Sequence, residues 1–222
     1  MPTETKDVTV TRDIRQRAIL PPDKLAACSA TVIGVGAIGR QVALQLAAIG
    51  MPRIGLVDFD KVGVENLACQ GYPPVDIGSY KVASVQTEIE RLNPDVFVIA
   101  NYDRFRKSDA HGNIVFACVD NMDTRKLIAR AVLGVADFFV DGRMAAEVIR
   151  VITATKDDFR HYEATLFTQE EAYAGSCTAK STIFTANIAA GMMLSQFSRY
   201  LRGMPCDHDI LLNLLASELT VT

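Results

Sequence analysis

A chain of 222 residues, 49% hydrophobic and 22% charged, is long enough to bury one large core and has the make-up of a globular protein. Its net charge of −3, without any basic run, excludes an electrostatic footprint for nucleic acid. Cys28, Cys69, Cys118, Cys177 and Cys206 are odd in number and hold no CxxC pair, which argues for reduced thiols over a disulfide framework or a structural zinc. His111, His161 and His208 lack HxxxH or HxH spacing, which argues against a catalytic metal cage.

Residues 1–10 are polar and expected to be loose. Residues 11–20 combine Arg12, Arg15 and Arg17 with Ile14, Ala18 and Ile19, the pattern of a short amphipathic helix that Pro21 and Pro22 end. Residues 1–24 thus read as an arm and residues 25–222 as a single domain. Residues 31–35 are a buried strand, 37–49 a helix, and the next strand ends at Asp58 and Asp60. Residues 61–79, with glycine turns and Pro73-Pro74, predict an irregular loop with room for one helical turn.

Residues 80–92 place Val82, Val85, Ile89 and Leu92 on one helical face, and Asn93-Pro94 stops that helix. Residues 96–100 are a strand, and 114–119 a strand whose continuous apolar run marks burial on both faces. A helix over 124–133 and a strand over 138–141 follow, and 148–153 alternates enough for an antiparallel strand. Residues 156–180 are polar and poorly periodic. The apolar stretch 181–202 is broken by Asn187, Ser195, Gln196 and Arg199 and stopped by Gly203 and Pro205, so it reads as a buried helix rather than a membrane span. Residues 208–217 suit a last short helix. The fold class is α/β, a Rossmann-like mostly parallel sheet with helices on both faces and antiparallel strands toward the C-terminal part. With no apolar signal core at the start, a cytoplasmic protein is expected.

Gly34, Gly36 and Gly39 form a GxGxxG turn between a strand and a helix, where the backbone can approach a phosphate and free N–H groups meet it. Asp58 closes the next strand where a ribose hydroxyl would be held. The turn alone does not separate NAD, FAD and ATP. Three further features fall at the C-terminal ends of strands or in the loops there: residues 66–70, Asp76 through Lys81, and Cys118 through Arg125. A ribose acid, a phosphate lysine and a second acid ending a later strand, Asp120, suit ATP with Mg²⁺, whereas hydride transfer requires no metal-binding acid.

This ordered series resembles the ThiF/MoeB/HesA superfamily, the ubiquitin-activating-type adenylyltransferases. The likeness runs from about Arg12 to Asp141, with a weaker echo to about Gly203. RxxRQ is Arg12 through Gln16, and DxDxVxxxN runs from Asp58 to Asn66. DxGxxK is Asp76, Gly78 and Lys81, and C-[TV]-D-N-x-x-T-R is Cys118 through Arg125. The resemblance implies that Asp58 binds the ATP ribose, Asn66 and Lys81 the triphosphate, and Asp120 the Mg²⁺, with Asp60 beside them. It implies that Arg15 reaches the triphosphate of the neighbouring subunit of a homodimer. The substrate would be a small ubiquitin-like or sulfur-carrier protein with a C-terminal Gly, whose carboxylate attacks the α-phosphorus and releases pyrophosphate.

Three departures stand against the pattern: Cys69 replaces the arginine of N-L-x-R-Q, the paired CxxC zinc motifs are absent, and no rhodanese or ubiquitin-fold domain is appended. They point to a reduced or specialised member. Cys177, in the polar segment ahead of the long helix, suits either a thioester-forming nucleophile or an inert packed thiol. Asp120 could also cap the helix that follows, Asn121, Thr124 and Arg125 suit capping and internal pairing, and Arg143 could meet the incoming carboxylate or pair with Glu147. Two other functions compete: a nucleotide-binding adaptor without catalysis, and a NAD-dependent oxidoreductase, which Lys81, Asp120 and the lack of a catalytic His or Tyr-Lys set oppose.

Overall fold

Each apolar run that the sequence sets between helical segments becomes a strand of one sheet. In the computed structural model, which describes residues 12–109, 112–167 and 182–222, eight strands pair in the order β3-β2-β1-β4-β5-β6-β7-β8. Strands β1 (Ala30–Ile33), β2 (Arg53–Val57), β3 (Phe97–Asn101), β4 (Ile114–Ala117) and β5 (Phe138–Ala145) run parallel. Strands β6 (Val148–Thr155), β7 (Asp209–Asn213) and β8 (Glu218–Val221) extend the sheet antiparallel. The expected mostly parallel sheet with an antiparallel C-terminal part is what forms.

The helices are α1 (Pro22–Ala26), α2 (Ala37–Ile49), α3 (Asn66–Gln70), α4 (Lys81–Leu92), α5 (Met122–Val132), α6 (Arg160–Glu163) and α7 (Ile183–Arg202). Buried residues of α2, α4 and α7 form one apolar cluster with the sheet, and those of α5 and α6 form a second one across it. Every residue of β4 is fully buried between these layers. Each of its large side chains contributes about 1.5–3 kcal/mol of transfer free energy. Helix α7 ends as expected at Gly203, whose left-handed φ of 71° lets its N–H reach the Arg199 and Tyr200 carbonyls. Among the described residues no helix is long and apolar enough to cross a membrane.

Among the described residues two expected helices do not form over their expected spans. Residues 13–19 form successive turns instead of a regular amphipathic helix, held by Gln16 N–H on the Asp13 carbonyl and Leu20 N–H on the Gln16 carbonyl. The 208–217 segment is a hairpin, not a helix: β7 pairs with β6 through Ile210↔Val151, and β8 returns against β7 through Leu212↔Leu219. A short apolar run has no distinguishing period, and the free edge of β6 decides it. The described part of the polar 156–180 stretch, residues 156–167, includes the helical turn α6, which carries the buried Tyr162. Cys177 and His111 lie outside the described residues.

Candidate functional site

The chain leaves β1 toward β2 on one side and returns through β4 on the other, so the sheet has its switch point between β1 and β4. The glycine turn follows β1 there, and the loop at Cys118 through Asp120 follows β4. The two touch, since a Cβ on Gly34 would lie 2.8 Å from the Cys118 carbonyl oxygen.

The three glycines have different reasons. Gly34 has a φ of +83°, in the left-handed region. A Cβ on Gly39 would collide with the Gly34 carbonyl, so close packing of helix on turn requires its absence. Gly36, the residue ahead of α2, has an ordinary φ of −71°, and the nearest atoms to a Cβ there are those of the Gln70 carboxamide at 3.9 Å. Among the described residues no atom crowds a Cβ at 36, so the backbone there is open. An open backbone at the N-terminus of a 13-residue helix is what a phosphate needs.

The turn is pinned from both sides. The Asp58 carboxylate accepts the Val35 N–H at 2.8 Å and the Asp60 N–H at 2.8 Å, while the Tyr72 hydroxyl donates to the Val35 carbonyl at 2.6 Å. Burial pushes the Asp58 carboxyl above its usual range, opposed by those N–H donors and by Lys81. Asp58 therefore shapes the turn, and each of its oxygens keeps a further lone pair.

Lys81 and Asp60 meet each other. The buried lysine ammonium lies 3.0 Å from the Asp60 carboxylate, which is itself half-exposed. Asn66 accepts the Gly63 N–H at 2.9 Å and so closes the loop entering α3. On that helix the Cys69 thiol donates to the Glu65 carbonyl at 3.1 Å.

Asp120 does not cap α5. Asn121 does so, accepting the Asp123 and Thr124 N–H groups at 2.9 and 3.0 Å. The Asp120 carboxylate is exposed, and among the described residues nothing engages it. An uncommitted acid beside an open glycine turn is the donor that a divalent cation on a phosphate needs.

Arg15 is not brought to this site. It is exposed, on an arm whose Arg12 guanidinium donates to the Leu92 carbonyl and whose Gln16 amide donates to the Ile49 carbonyl. Those carbonyls end α4 and α2. A 13-residue helix is about 20 Å long, so the arm sits at the opposite end of α2 from Gly36.

Several participants escaped the sequence reading. Arg40, in the first turn of α2, grips Glu88 through both carboxylate oxygens at 2.6 and 2.7 Å and lies over the Tyr72 ring. Its Nε and the Gln70 Oε1 are buried polar atoms without partners. Two such orphaned groups beside the turn fit a ligand that would bond them.

Asp141, fully buried, receives Arg125 Nε at 3.0 Å, Arg143 Nε at 2.7 Å and the Tyr162 hydroxyl at 2.9 Å. Arg143 thus pairs with Asp141 rather than Glu147, and its two terminal nitrogens donate to Thr165. It is spent internally instead of awaiting a carboxylate. The signal was available, because Asp141 ends an apolar strand run as Asp58 does. The thiol of the partly buried Cys118, beside Asp141, is pushed far above its usual range by desolvation and then by that charge, which suits an inert strand-end thiol.

An open glycine turn at a switch point, with a free acid beside it, defines a nucleotide-binding α/β domain. A model of the ThiF family matches residues 12–217, and the chain belongs to that family. It is 30% identical over 117 residues to ubiquitin-like modifier-activating enzyme 5 of Drosophila simulans, covering 45% of this chain and 29% of that protein. It is 33% identical over 111 residues to adenylyltransferase and sulfurtransferase MOCS3 of Anopheles gambiae, covering 47% of this chain and 25% of that protein. The match thus spans less than a third of the length of these relatives. Among solved structures, PaaA superposes with a TM-score of 0.76 at 18% identity over 97% of this chain and 70% of that one. E. coli MccB with ATP superposes with a TM-score of 0.73 at 15% identity over 90% of this chain and 64% of that one.

Proposed function

We propose that the chain is a cytoplasmic ATP-dependent adenylyltransferase that activates the C-terminal carboxylate of a small ubiquitin-like or sulfur-carrier protein. The open Gly36 backbone with the uncommitted Asp120 on the same rim carries this reading, and the likeness to an activating enzyme and an adenylyltransferase supports it. A NAD-dependent oxidoreductase would have no use for that acid.

In this reading the N–H groups at the start of α2 take phosphate oxygens, Asp58 holds the ribose and keeps the turn in shape, and Asn66 and Lys81 face the triphosphate. Asp120 would hold Mg²⁺, whose role when bound is to neutralise charge on the phosphates. Asp60, paired with Lys81, orients that ammonium on the same rim. An oxygen of the partner's terminal carboxylate forms a bond to the α-phosphorus as the bond to the β-phosphate oxygen breaks, and pyrophosphate leaves. Positioning and charge neutralisation suffice, with no covalent base.

The test is pyrophosphate release from ATP and Mg²⁺ with a small protein ending in Gly-Gly encoded beside this gene. Release is expected with a free tail and not with an amidated one. Tight ATP binding with no release from any such partner would leave the adaptor reading standing instead.

Arg15 would act across a twofold homodimer, since its arm lies away from its own turn. Mixing an Arg15→Ala chain with a Lys81→Ala chain should create one intact site per mixed dimer, about a quarter of wild-type exchange at equal proportions. A monomer by light scattering, or no recovery from subunits that exchange, contradicts it.

Cys177 would take the activated tail as a thioester, its sulfur forming the bond as AMP leaves. The start of α7 lies against Gly71, where a Cβ would come 2.7 Å from the Ile183 side chain. Cys177→Ser should retain pyrophosphate exchange and lose a thiol-labile adduct on non-reducing gels. If the wild type forms no adduct, the chemistry stops at the acyl-adenylate.

A further inference from the structure

Away from the nucleotide site, the fold gathers three potential ligands that the sequence holds apart. Asp158 and His161 flank the start of α6, and His208 arrives from the segment ahead of β7. Their donor atoms all lie within 4.8 Å of one another. The two imidazoles stack with centroids 4.1 Å apart and planes 17° from parallel.

The bonding of His161 makes this more than proximity. Its Nε2 lies 2.7 Å from the Thr153 carbonyl, which can only accept, so Nε2 carries the proton. A neutral ring then presents a bare lone pair at Nδ1. That atom is buried and without a hydrogen-bond partner, and it faces the Asp158 carboxylate at 3.7 Å. A lone pair opposite an anion repels unless a proton or a metal ion lies between them, and either one relieves the contact. Two ligands sharing a tetrahedral Zn²⁺ stand about 3.4 Å apart, from bond lengths of roughly 2.0–2.2 Å. A carbonyl accepting the distal N–H is also how proteins orient a metal-bound imidazole. His208 Nε2, 2.6 Å from the other Asp158 oxygen, joins when its ring shifts out of the stack to aim its lone pair at the ion. Asp158 and His208 are both exposed and can give that shift.

We propose that Asp158 Oδ1, His161 Nδ1 and His208 Nε2 form a site for one Zn²⁺ ion, with water as fourth ligand. Two imidazoles and a carboxylate select a borderline transition metal over Mg²⁺ or Ca²⁺. The ion would tie the β7 entry to α6, whose Tyr162 bonds Asp141, and so brace that buried network from behind.

Chelator-stripped full-length protein is titrated with Zn²⁺ by calorimetry and with Co²⁺ by visible absorption. One equivalent should bind at micromolar concentration or tighter, raise the melting temperature, and give the intense bands of tetrahedral cobalt. Mg²⁺ at millimolar concentration should not compete. His208→Ala and Asp158→Asn should each weaken Zn²⁺ binding by more than about a hundredfold, beyond the roughly 10–100-fold effect of losing an outer-shell partner. Either variant suffices if the other fails to fold by circular dichroism. Cys206→Ser should bind as the wild type does. Absence of saturable Zn²⁺ binding below about 100 µM, undiminished binding in a folded variant, or loss in Cys206→Ser overturns the proposal.

Discussion

Replacing Asp120 by alanine should lower ATP–pyrophosphate exchange about a hundredfold or more while leaving thermal unfolding unchanged. Preorganised charge at the reacting phosphates is worth about 3 kcal/mol of barrier, and on the proposed reading Asp120 would supply it by holding the cation. Stability should be spared because the carboxylate is exposed, Asn121 rather than Asp120 caps α5, and among the described residues no partner is left stranded. Exchange and melting are measured on the same preparation. Near-wild-type exchange in a folded variant would remove Asp120 from the site, and lost exchange together with lost folding would make it structural.

Asp141→Ala should show the opposite signature, a large loss of stability. Its side chain is fully buried and is the anion shared by Arg125 and Arg143, both largely buried themselves. Removing one partner of a buried ion pair costs about 3–5 kcal/mol, because an uncompensated charge stays inside. For a chain of this size that lowers the melting temperature on the order of 10 °C. Asp141→Asn, which keeps one acceptor, should lose less. Asp103→Ala, which breaks an exposed pair with Arg106, should change little. Denaturant unfolding with all three variants checks the order. A loss under about 1 kcal/mol for Asp141→Ala would mean that the two guanidiniums find other partners.

These two acids show how far a strand-end carboxylate can be read. Asp58, Asp120 and Asp141 all follow apolar strand runs, and sequence reading singled out the first two at the sheet's rim and passed over the third. It could not say which would stay free. Asp58 is taken by two backbone N–H groups, Asp141 by three side chains, and Asp120 by none among the described residues. The residues that decide this, Tyr162 and Arg143 among them, lie on elements whose approach no local pattern encodes. Lys81 and Asp60 were both expected at the ligand, and the fold sets them against each other as an ion pair.

What the sequence alone determined are the features written in neighbouring residues. Continuous apolar runs made the parallel strands, since a strand buried on both faces has no polar side to offer. Left-handed or crowded backbone selected glycine at Gly34 and Gly39, and the helix after them ran over the expected residues 37–49. Tertiary structure alone decided the hairpin at 208–217, the turns of the N-terminal arm at the far end of α2, and the meeting of Asp158, His161 and His208. Each of these depends on free energy between groups distant in the chain: an unpaired edge of β6, the exposed ends of two helices, a lone pair left bare by a carbonyl. Such terms exist only once the sheet has assembled, so no periodicity or spacing in the chain can carry them.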